Sequence, residues 1–411
     1  MNKNNTIAVI GAGVIGITTA LQLQSRGYQV TLFDKSKPAS ACSQGNAGHF
    51  ATEQVFPMAD SSLLWKLPKM LFDPIGPLRI DLRSMLGNLP WFWRFLLQMP
   101  KSRFNQGVAA LSALNQAALP AYQRLLKQQY AELIESQGSL LVCEKQQNLD
   151  VLFNKYHRQG ISVIKLNSQQ TQQLEPNLAK HIAGALYFDQ VGHSMDPYRL
   201  CQRLYQHFIA AGGTFKNAEI DRIETTNSRP LLKTSEQSFG VFDHVVIATG
   251  AWGKSLCQQL GYRLPLIAER GYHTMVKDPE VFSRPVASSE RGFIMTPMQM
   301  GLRLAGTVEF ANVDSPPNYH RARALFRHAQ TLVDLPLVEQ QEQIWVGVRP
   351  TLPDYLPVIG QAPKHDSIYF ALGHQHLGLT QAAITSECIA DLIDKKPNDI
   401  DLTPFSISRF A

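Results

Sequence analysis

The feature that most constrains this 411-residue chain is a glycine-rich turn near its beginning. A short β-branched run, TIAVI at 6–10, leads into the motif GAGVIG at 11–16, and residues 17–26 have the pattern of a helix. A second apolar run at 28–33 ends on Asp34. A strand, a glycine turn, a helix, a second strand and an acid, in that order, are typical of a βαβ unit that binds a dinucleotide.

Each glycine of the motif has its own physical role. Gly11 permits the tight turn, Gly13 lets backbone N–H groups approach a pyrophosphate, and Gly16 lets the helix pack closely on the strand. Val14 and Ile15, between Gly13 and Gly16, are assigned to the ligand as well, and the N-terminus of the helix that follows offers partial positive charge to the phosphates.

Asp34 is placed to accept hydrogen bonds from the hydroxyls of a ribose, and Lys35, the next residue, is assigned to the same ligand. Its carboxylate would repel a 2′-phosphate, which disfavours a ligand of the NADP type. The sequence therefore predicts a dinucleotide site, and the rest of the chain has to decide which dinucleotide it takes.

Length and composition limit the classes of protein that fit. A chain of 411 residues exceeds what one hydrophobic core usually supports, so two domains are expected. The net charge of +6 comes without a block of Lys and Arg or a nucleic-acid motif, so we expect no nucleic-acid partner. Mild attraction to anionic lipid is the other physical reading of this charge.

The five cysteines are scattered without a C-x-x-C pair, which argues against a disulfide framework and against structural zinc. A reducing compartment follows, and we expect a cytoplasmic protein. The nucleotide motif starts at residue 6, which leaves no room for a cleavable signal peptide. The sequence shows no apolar run of the roughly 20 residues that a membrane-spanning helix needs.

Three later segments are candidates for contact with the same ligand. The small, polar run SQGNAG at 43–48 suits close approach of the backbone, although it also fits a surface loop. A buried-strand pattern at 241–249 closes with ATGAW, and a strand at 368–372 leads into GHQHLGLT and a helix. The residues assigned to the ligand in these segments are Ser43, Asn46, Ala47, Gly48, Ala248, Thr249, Gly250, Trp252, Gly373, His374, Leu377, Gly378, Leu379 and Thr380.

The stretch 60–104 interleaves aromatic and apolar residues with Lys and Arg, and five prolines break the pattern into short pieces. One interpretation is an amphipathic patch that lies on a membrane surface and passes electrons to a quinone. The other is a lid or subdomain that packs on the rest of the protein, since aromatic helices usually pack internally.

Four segments in order resemble the D-amino-acid oxidase superfamily of flavoproteins: GAGVIG with Asp34, CSQGNAGHF, VVIATGAW, and the pair VGVRPTLPDYLPVIG and ALGHQHLGLT. The branch that the chain most resembles is that of bacterial D-amino-acid dehydrogenases and D-hydroxyproline dehydrogenases. The resemblance implies FAD as the ligand. Many relatives carry Glu where this chain has Asp34, and both can hold a ribose.

The resemblance also implies the architecture. We expect an α/β fold with a Rossmann-like FAD-binding domain of the glutathione-reductase type. A second, α+β substrate domain is built on a large, mostly antiparallel sheet. The FAD-binding domain would be discontinuous, comprising 1–48, 196–258 and 346–411. The substrate-binding domain would comprise 49–195 and 259–345.

By the same resemblance, the reaction oxidises an amine carbon by passing hydride to flavin N5, so the protein only has to orient the substrate. Arg349, in VGVRP, would bind the substrate carboxylate in a bidentate way. Tyr272 could donate to that carboxylate, and His273 could accept from the amine. His376 and His49 would lie near the flavin.

The histidine turn leaves some roles open. Either His374 or His376 could reach the flavin, and their alternation along an extended loop would point them in opposite directions. Arg303 is a second candidate for the carboxylate. Metal ligation is not expected, because these histidines have no partner at helical spacing.

The expected substrate is a D-amino acid or a cyclic imino acid such as D-proline or cis-4-hydroxy-D-proline, with electrons passed to a quinone or carrier. Two alternatives stay open. One is an oxygen-using oxidase of glycine or sarcosine type, and the other is a non-catalytic FAD-binding subunit that docks to a membrane or partner. A nicotinamide-dependent reductase would need a second dinucleotide motif, and the sequence shows one.

Overall fold

A computed structural model describes residues 5–60, 78–80, 82–226, 228–277, 279–310 and 315–411. The α-helices, numbered in chain order, are α1 Val14–Ser25, α2 Leu82–Leu96, α3 Lys101–Gln116, α4 Ala118–Leu126, α5 Tyr130–Leu133, α6 Gln146–Arg158, α7 Ser168–Leu174, α8 Pro197–Ala210, α9 Gly253–Gln259, α10 His320–Leu332 and α11 Gly378–Ile393.

The strands fall into four sheets. A six-stranded sheet contains, in spatial order, β19 Val358–Ala362, β20 His365–Leu372, β13 His244–Ile247, β1 Thr6–Ile10, β2 Gln29–Asp34 and β9 Thr214–Asn217. A nine-stranded sheet runs β18 Glu339–Thr351, β14 Ile267–Val276, β17 Gly301–Phe310, β16 Phe293–Met298, β15 Val286–Ser288, β5 Ser139–Cys143, β7 Gly184–Phe188 and β6 Ile164–Asn167, with β4 Leu78–Ile80 paired to β17. The two small sheets are β10 Arg222–Thr226 with β11 Arg229–Lys233 and β12 Ser238–Val241, and β3 His49–Phe50 with β8 Gly192–His193.

The six-stranded sheet is parallel except for β19, and the expected βαβ unit lies at its centre as β1, α1 and β2. Successive residues of β1 point to opposite faces, so Val9 packs in one hydrophobic core and Ile10 in another. Both faces are therefore covered, which explains why β1 is an uninterrupted apolar run. This arrangement confirms the predicted fold class.

The nine-stranded sheet is mostly antiparallel, as predicted, with parallel pairs where β15 meets β5 and where β17 meets β4. Every strand of the six-stranded sheet falls within the three segments predicted for the FAD-binding domain. The predicted boundary at 345/346, however, cuts through β18, which runs from Glu339 to Thr351 as an edge strand of the large sheet. The other domain boundaries remain predictions.

Two local predictions were wrong. The sequence pattern of 214–223 predicts one strand, but the strand that begins at Thr214 stops at Asn217, and residues 222–241 form a separate three-stranded antiparallel sheet. The prolines do not break 82–96 into pieces, because α2 continues through Pro90. Trp91 stacks on Phe95 and contacts Phe310 of the large sheet, and this burial offsets the cost of a proline inside the helix. The part of the amphipathic stretch at 61–77 lies outside the described residues.

Candidate active site

The turn between β1 and α1 forms part of the wall of a cavity of about 450 Å³. Gly11 has φ of +105°, a conformation that favours glycine. A Cβ at Gly16 would overlap the carbonyl of Gly11, so α1 can start this close to β1 only because Gly16 has no side chain. Gly13, the N-cap of α1, provides no side-chain cap. The turn therefore presents backbone N–H groups to an occupant of the cavity.

Asp34 and its neighbours form another part of the cavity wall. Asp34 Oδ2 accepts a hydrogen bond of 2.6 Å from the backbone N–H of Ala12 in the glycine turn. Lys35 pairs with Glu219 at 2.8 Å, and its ammonium lies 5.3 Å from the ring centroid of Trp252. The carboxylate thus stands at the end of β2 beside the turn, in the position from which an acid reaches ribose hydroxyls.

The loop 43–48 is tied to both neighbouring sheets. Ser43 Oγ accepts from the N–H of Val14 at 2.9 Å, and Asn46 Oδ1 accepts from the N–H of Gly48 at 2.8 Å. From the large sheet, Arg303 Nη1 donates to the carbonyl oxygen of Asn46. Burial lowers the pKa of Arg303 to about 10. Arg303 therefore holds this loop in place, and we do not assign it to a substrate carboxylate.

The turn between β20 and α11 lines the cavity from the C-terminal side. Gly373 has φ of +75° and the next residue, His374, is buried with Nε2 3.0 Å from Thr385 Oγ1 of α11. Burial lowers the pKa of His374 to about 3, so the ring is neutral and fastens the turn to the helix. Gln375 Nε2 has no hydrogen-bond partner among the described residues, which leaves a donor for a ligand.

Most residues predicted to hold the dinucleotide line this one cavity, although they come from four separate segments. They are Gly11, Gly13, Val14, Ile15, Asp34, Lys35, Ser43, Asn46, Ala248, Thr249, Gly250, Trp252, Gly373, His374, Gly378 and Leu379.

The other five, Gly16, Ala47, Gly48, Leu377 and Thr380, are outside its lining and support it. Thr380 Oγ1, for example, accepts from the N–H of Ala51 at 3.0 Å and joins α11 to the segment that follows β3.

Arg349 lies on β18, next to the same cavity. Its Nη1 donates to Glu269 Oε1 at 3.0 Å, and Thr351 Oγ1 donates to the other oxygen of Glu269 at 2.9 Å. The Glu269 side chain is 2% exposed and that of Arg349 is 25% exposed. A Cβ at Gly271 would strike the guanidinium. Arg349 is therefore held against the sheet by one buried carboxylate, and its remaining N–H groups have no partner among the described residues.

The edge of β18 connects Arg349 to the cavity. Val348 and Pro350, which flank Arg349 in the strand, both line it. The carbonyl oxygen of Val348 accepts from Sγ of Cys42, which lines it as well, at 2.7 Å. The strand segment that carries Arg349 therefore borders the cavity.

His376 is exposed although His374 is buried, so the two rings point in opposite directions, as their alternation suggested. Surrounding protein still desolvates the His376 ring and lowers its pKa to about 4. The positive charge of Arg349 also lowers the pKa of His376, whereas the negative charge of Glu269 raises it. His376 therefore shares the electrostatic environment of Arg349 and is neutral at pH 7.

His273 and His49 reach the loop 43–48 from different strands. His273 Nδ1 lies 3.1 Å from the carbonyl oxygen of Gly45, and its ring stacks on Trp345 with centroids 5.0 Å apart. Burial, with help from Arg303, lowers the pKa of His273 to about 3. His49 is buried on β3, and desolvation lowers its pKa to about 3 as well. Both rings are neutral.

The structure does not bring Tyr272 into this group. Adjacent residues of a strand point to opposite faces, and His273 occupies the face that carries Arg349. Tyr272 is buried on the other face, where its hydroxyl donates to Glu309 and accepts from the N–H of Asn318. Burial, reinforced by Glu309, raises its pKa to about 12. Tyr272 therefore faces away from Arg349, and its expected role toward the substrate carboxylate stays a prediction.

The sequence reasoning missed Glu269 and Trp345. Glu269 faces Arg349 across the β14–β18 ladder, and Trp345 faces His273 in the same ladder. Periodicity alone does not reveal which strands pair or in which register. A weak local signal for Glu269 existed in ERGYH, because Glu269, Gly271 and His273 share one face once the segment is taken as a strand.

Comparison with known proteins decides the family. A model named DAO and described as FAD dependent oxidoreductase matches residues 6–392. The chain belongs to the DAO family of FAD-dependent oxidoreductases.

Similar DAO-family proteins include a D-amino-acid oxidase of Bradyrhizobium diazoefficiens, which is 32% identical over 100% of both chains. A D-amino acid dehydrogenase of the same organism is 28% identical over 98% of this chain and 99% of the relative. The crystal structure of glycine oxidase from Geobacillus kaustophilus superposes with a TM-score of 0.77 at 23% identity and covers 99% of this chain and 100% of that one.

The cavity fits FAD by its own chemistry. The N-termini of α1 and α11, whose own N-cap residues provide no side-chain hydrogen bond, begin at its wall and suit anionic or electron-rich groups. The Thr249 hydroxyl and the Gln375 amide nitrogen are in the lining without partners among the described residues. Unsatisfied buried polar atoms of this kind indicate that a ligand completes the site.

Proposed function

We propose that this DAO-family oxidoreductase oxidises the Cα–N bond of D-amino acids. The observation that carries the proposal is the guanidinium of Arg349, anchored by Glu269 beside the FAD cavity. A fixed guanidinium recognises a carboxylate in a directional, bidentate way. The names of the two relatives, D-amino-acid oxidase and D-amino acid dehydrogenase, support the substrate class. Cyclic substrates such as D-proline and cis-4-hydroxy-D-proline belong to the same proposal.

FAD, when bound, supplies the hydride acceptor for the reaction. The work of the chain is to hold the substrate so that its Cα–H bond faces that acceptor. Arg349 fixes the carboxylate, and β18 and β14 form the surface beneath it. His376 and His273 stay neutral at pH 7, so they add no positive charge that would repel the ammonium group of the amino acid.

We propose for the cofactor that the residues lining the cavity divide by the part of FAD they face. Asp34 would hold the adenosine ribose, the glycine turn and the N-terminus of α1 would hold the pyrophosphate, and the turn before α11 would hold the flavin. His49, on the strand that follows loop 43–48, would lie at the flavin edge.

Carboxylate recognition can be tested with a matched pair of substrates. D-alaninamide keeps the amine and Cα–H of D-alanine but replaces the carboxylate with a neutral amide. We expect it to reduce the wild-type flavin at least about 100-fold less efficiently, the scale of a lost charge-assisted pair. In Arg349→Ala the two compounds should react about equally poorly. An unchanged preference for D-alanine in Arg349→Ala would remove Arg349 from substrate binding.

The exposed face of α2 supports a second proposal, that the protein meets a membrane and passes electrons to a quinone there. Trp93 is 64% exposed, and Leu89, Leu96 and Leu97 are exposed beside it. Between Asp81 and Glu132 the sequence contains no acidic residue. Two basic residues, Lys101 and Arg103, follow α2. An apolar face with flanking cations suits an anionic lipid surface.

The buried face of α2 reaches the substrate site. Trp91 Nε1 donates to the carbonyl oxygen of Thr351 at 3.3 Å, and the Thr351 hydroxyl contacts Glu269. An acceptor that enters beside α2 would therefore arrive near the strand of Arg349. Among the residues that the structure describes, no helix has both the length and the apolarity to cross a bilayer.

Vesicle sedimentation tests this surface. The wild type should bind vesicles containing phosphatidylglycerol and should not bind vesicles of phosphatidylcholine alone. A Trp93→Ser, Leu97→Ser double variant should lose binding, whereas Met300→Ser, which changes an equally exposed apolar residue elsewhere, should keep it. Equal binding by all three proteins would contradict the proposal.

Mixing the reduced protein separately with oxygen and with a quinone would identify the acceptor.

A further inference from the structure

A second cavity, of about 460 Å³, lies apart from the FAD site. Its wall is formed by residues 52–53, by parts of α3 and α4, and by residues 188–191. The two cavities share no lining residue among those described. Exposed polar residues, including Ser162, Asp189 and Gln190, contribute to the wall, so the second cavity is open to water.

Glu53 connects this cavity to the active site. It lines the second cavity, yet it is only 6% exposed. Its Oε1 lies 3.6 Å from Nε2 of His49. Glu53 Oε2 and His49 Nε2 are both buried without a hydrogen-bond partner among the described residues. Unsatisfied polar atoms on two neighbouring buried side chains are costly unless a proton or a water joins them in function.

His49 in turn leads toward the substrate. The N–H of Ala51, two residues after His49, donates to Thr380 Oγ1 at 3.0 Å and so joins β3 to the start of α11. His376 lies in the turn directly before α11. Desolvation lowers the pKa of His49 most, and His193 and His376 lower it further. The remaining contact, from His49 to Glu53, ends at the second cavity.

We propose that Glu53 is a relay residue that carries the proton lost by the substrate amine from His49 to water in the second cavity. The inference rests on the proposed amino-acid oxidation. A substrate ammonium group must lose a proton before its nitrogen can form the C=N bond. Glu53 acts through His49 and does not touch the substrate.

The transfer balances as follows. The N–H bond of the ammonium breaks and its proton passes to one ring nitrogen of His376, while the other ring nitrogen of His376 gives a proton to His49. In the same step His49 gives its Nε2 proton to Oε1 of ionised Glu53, so both imidazoles stay neutral. Glu53 then releases that proton to water of the second cavity. The electron pair left on the amine would form the C=N bond as the Cα–H bond breaks, and FAD, when bound, would supply the acceptor for the hydride.

The surroundings of Glu53 set the pH at which it can accept a proton. Burial raises its pKa to about 8. The titratable groups near it are His49 on β3, His193 opposite it on β8, Tyr156 on α6, and Asp189 in the wall of the cavity. His193 is neutral because burial lowers its pKa to about 4. The rate of flavin reduction should therefore rise with pH through about 8.

Glu53→Gln tests the relay, because glutamine keeps the size and lacks the transferable proton. Anaerobic stopped-flow reduction by a D-amino acid should be at least about tenfold slower than in the wild type, on the scale of proton-transfer catalysis. The rise near pH 8 should vanish, and proton release seen with a pH dye should lag behind flavin reduction. The dissociation constant of the substrate should not change.

Asp189→Asn is the matched control, since it removes an exposed acid from the wall of the same cavity. It should behave as the wild type. Glu53→Asp keeps the acid but withdraws it by one methylene, so it should give an intermediate rate. It also serves as the test if the glutamine variant does not bind FAD. A wild-type rate and pH profile in Glu53→Gln would overturn the proposal, as would a slower rate explained by weaker substrate binding.

An infrared measurement separates failure of the relay from failure of the proposed function. The unreacted protein should show a carboxylic-acid C=O band that disappears as the pH rises through about 8 and is missing from Glu53→Gln. Its absence from the wild type at pH 7 would overturn the relay. If the band is present but no D-amino acid reduces the flavin, the proposed function fails and the relay fails with it.

Discussion

The guanidinium of Arg349 lies directly against the backbone of Gly271 in the neighbouring strand. The two residues are held in this relation by the β14–β18 ladder, in which Glu269 faces Arg349 and Gly271 faces Gly347. Because Gly271 has no side chain, the arginine can bend over it and reach Glu269 at 3.0 Å. The position of the substrate-binding cation is thus determined by a glycine and a carboxylate on one strand.

Gly271→Ala should displace Arg349, because the new Cβ would occupy the space of the guanidinium. A misplacement of this kind costs on the order of 100-fold in catalytic efficiency, and we expect it mainly as a higher KM for the D-amino acid. Steady-state kinetics with a soluble dye as acceptor would measure it. Gly87→Ala is the control, since a Cβ there meets nothing within 4 Å. Equal KM values in the two variants would contradict the assigned position of Arg349.

Glu269→Gln should weaken substrate binding without weakening FAD binding. The amide cannot neutralise Arg349, and a hydrogen bond to a charged group contributes about 1.5–3 kcal/mol. We expect KM to rise about tenfold or more. Glu144→Gln removes the acid of another Arg–Glu pair, with Arg291, and should leave KM unchanged. A normal KM in Glu269→Gln would show that Arg349 does not depend on this carboxylate.

Asp34→Ala should lower the affinity for FAD. The substitution removes the acceptor for the N–H of Ala12 and the acid proposed to bind the ribose. Loss of charge-assisted hydrogen bonds predicts a dissociation constant about 10–100-fold higher, measured by fluorescence titration of the apoprotein with FAD. Glu224→Gln, which changes an exposed acid paired with Lys233, should bind FAD normally. Wild-type affinity in Asp34→Ala would refute the assignment.

The buried acid Glu53 should make stability depend on pH. Its pKa is about 8 in the folded protein against an ordinary value of 4.5, so the folded state keeps a proton that the unfolded state loses. The stabilising contribution is therefore complete below pH 4.5 and is lost as the pH rises to about 8. A difference of one in pKa is worth about 1.4 kcal/mol, so the difference between 4.5 and about 8 gives a change on the order of 5 kcal/mol.

Urea unfolding of the wild type and Glu53→Gln at pH 5, 7 and 8.5 measures this effect. The contribution of the neutral histidines cancels, because both proteins contain them. The free energy of unfolding of the wild type, relative to the variant, should fall from pH 5 to pH 8.5. A difference that stays constant with pH would show that Glu53 is ionised in the folded protein.

The βαβ unit could be predicted because each of its signals is local. Gly11, Gly16 and Asp34 lie within one short segment, and the residue type at each position indicates its chemical role. Arg349 could be located only through the resemblance of VGVRP to a family motif. Without that resemblance it would have been one arginine among many.

The rest of the site depends on contacts between distant parts of the chain. Glu53 and His49 come from one segment, but the cavity that gives them a role is closed by α3, α4 and residues 188–191. Tyr272 faces away from Arg349 because of its place on β14, and the run RGYH does not reveal which face each residue takes. Pro90 was expected to help break the stretch 60–104 into short pieces, yet α2 continues through it and Trp91 contacts Phe310 of the large sheet.

The most direct measurement is an anaerobic titration of the FAD-loaded protein with the two enantiomers of each amino acid in a panel. The panel should include proline and cis-4-hydroxyproline, with glycine and sarcosine as achiral members. We predict that D-enantiomers bleach the flavin absorbance and that their L-forms do not. Bleaching by L-enantiomers or by glycine and sarcosine alone would contradict the assignment of D-amino acids. A flavin that no amine reduces would contradict the enzymatic function itself.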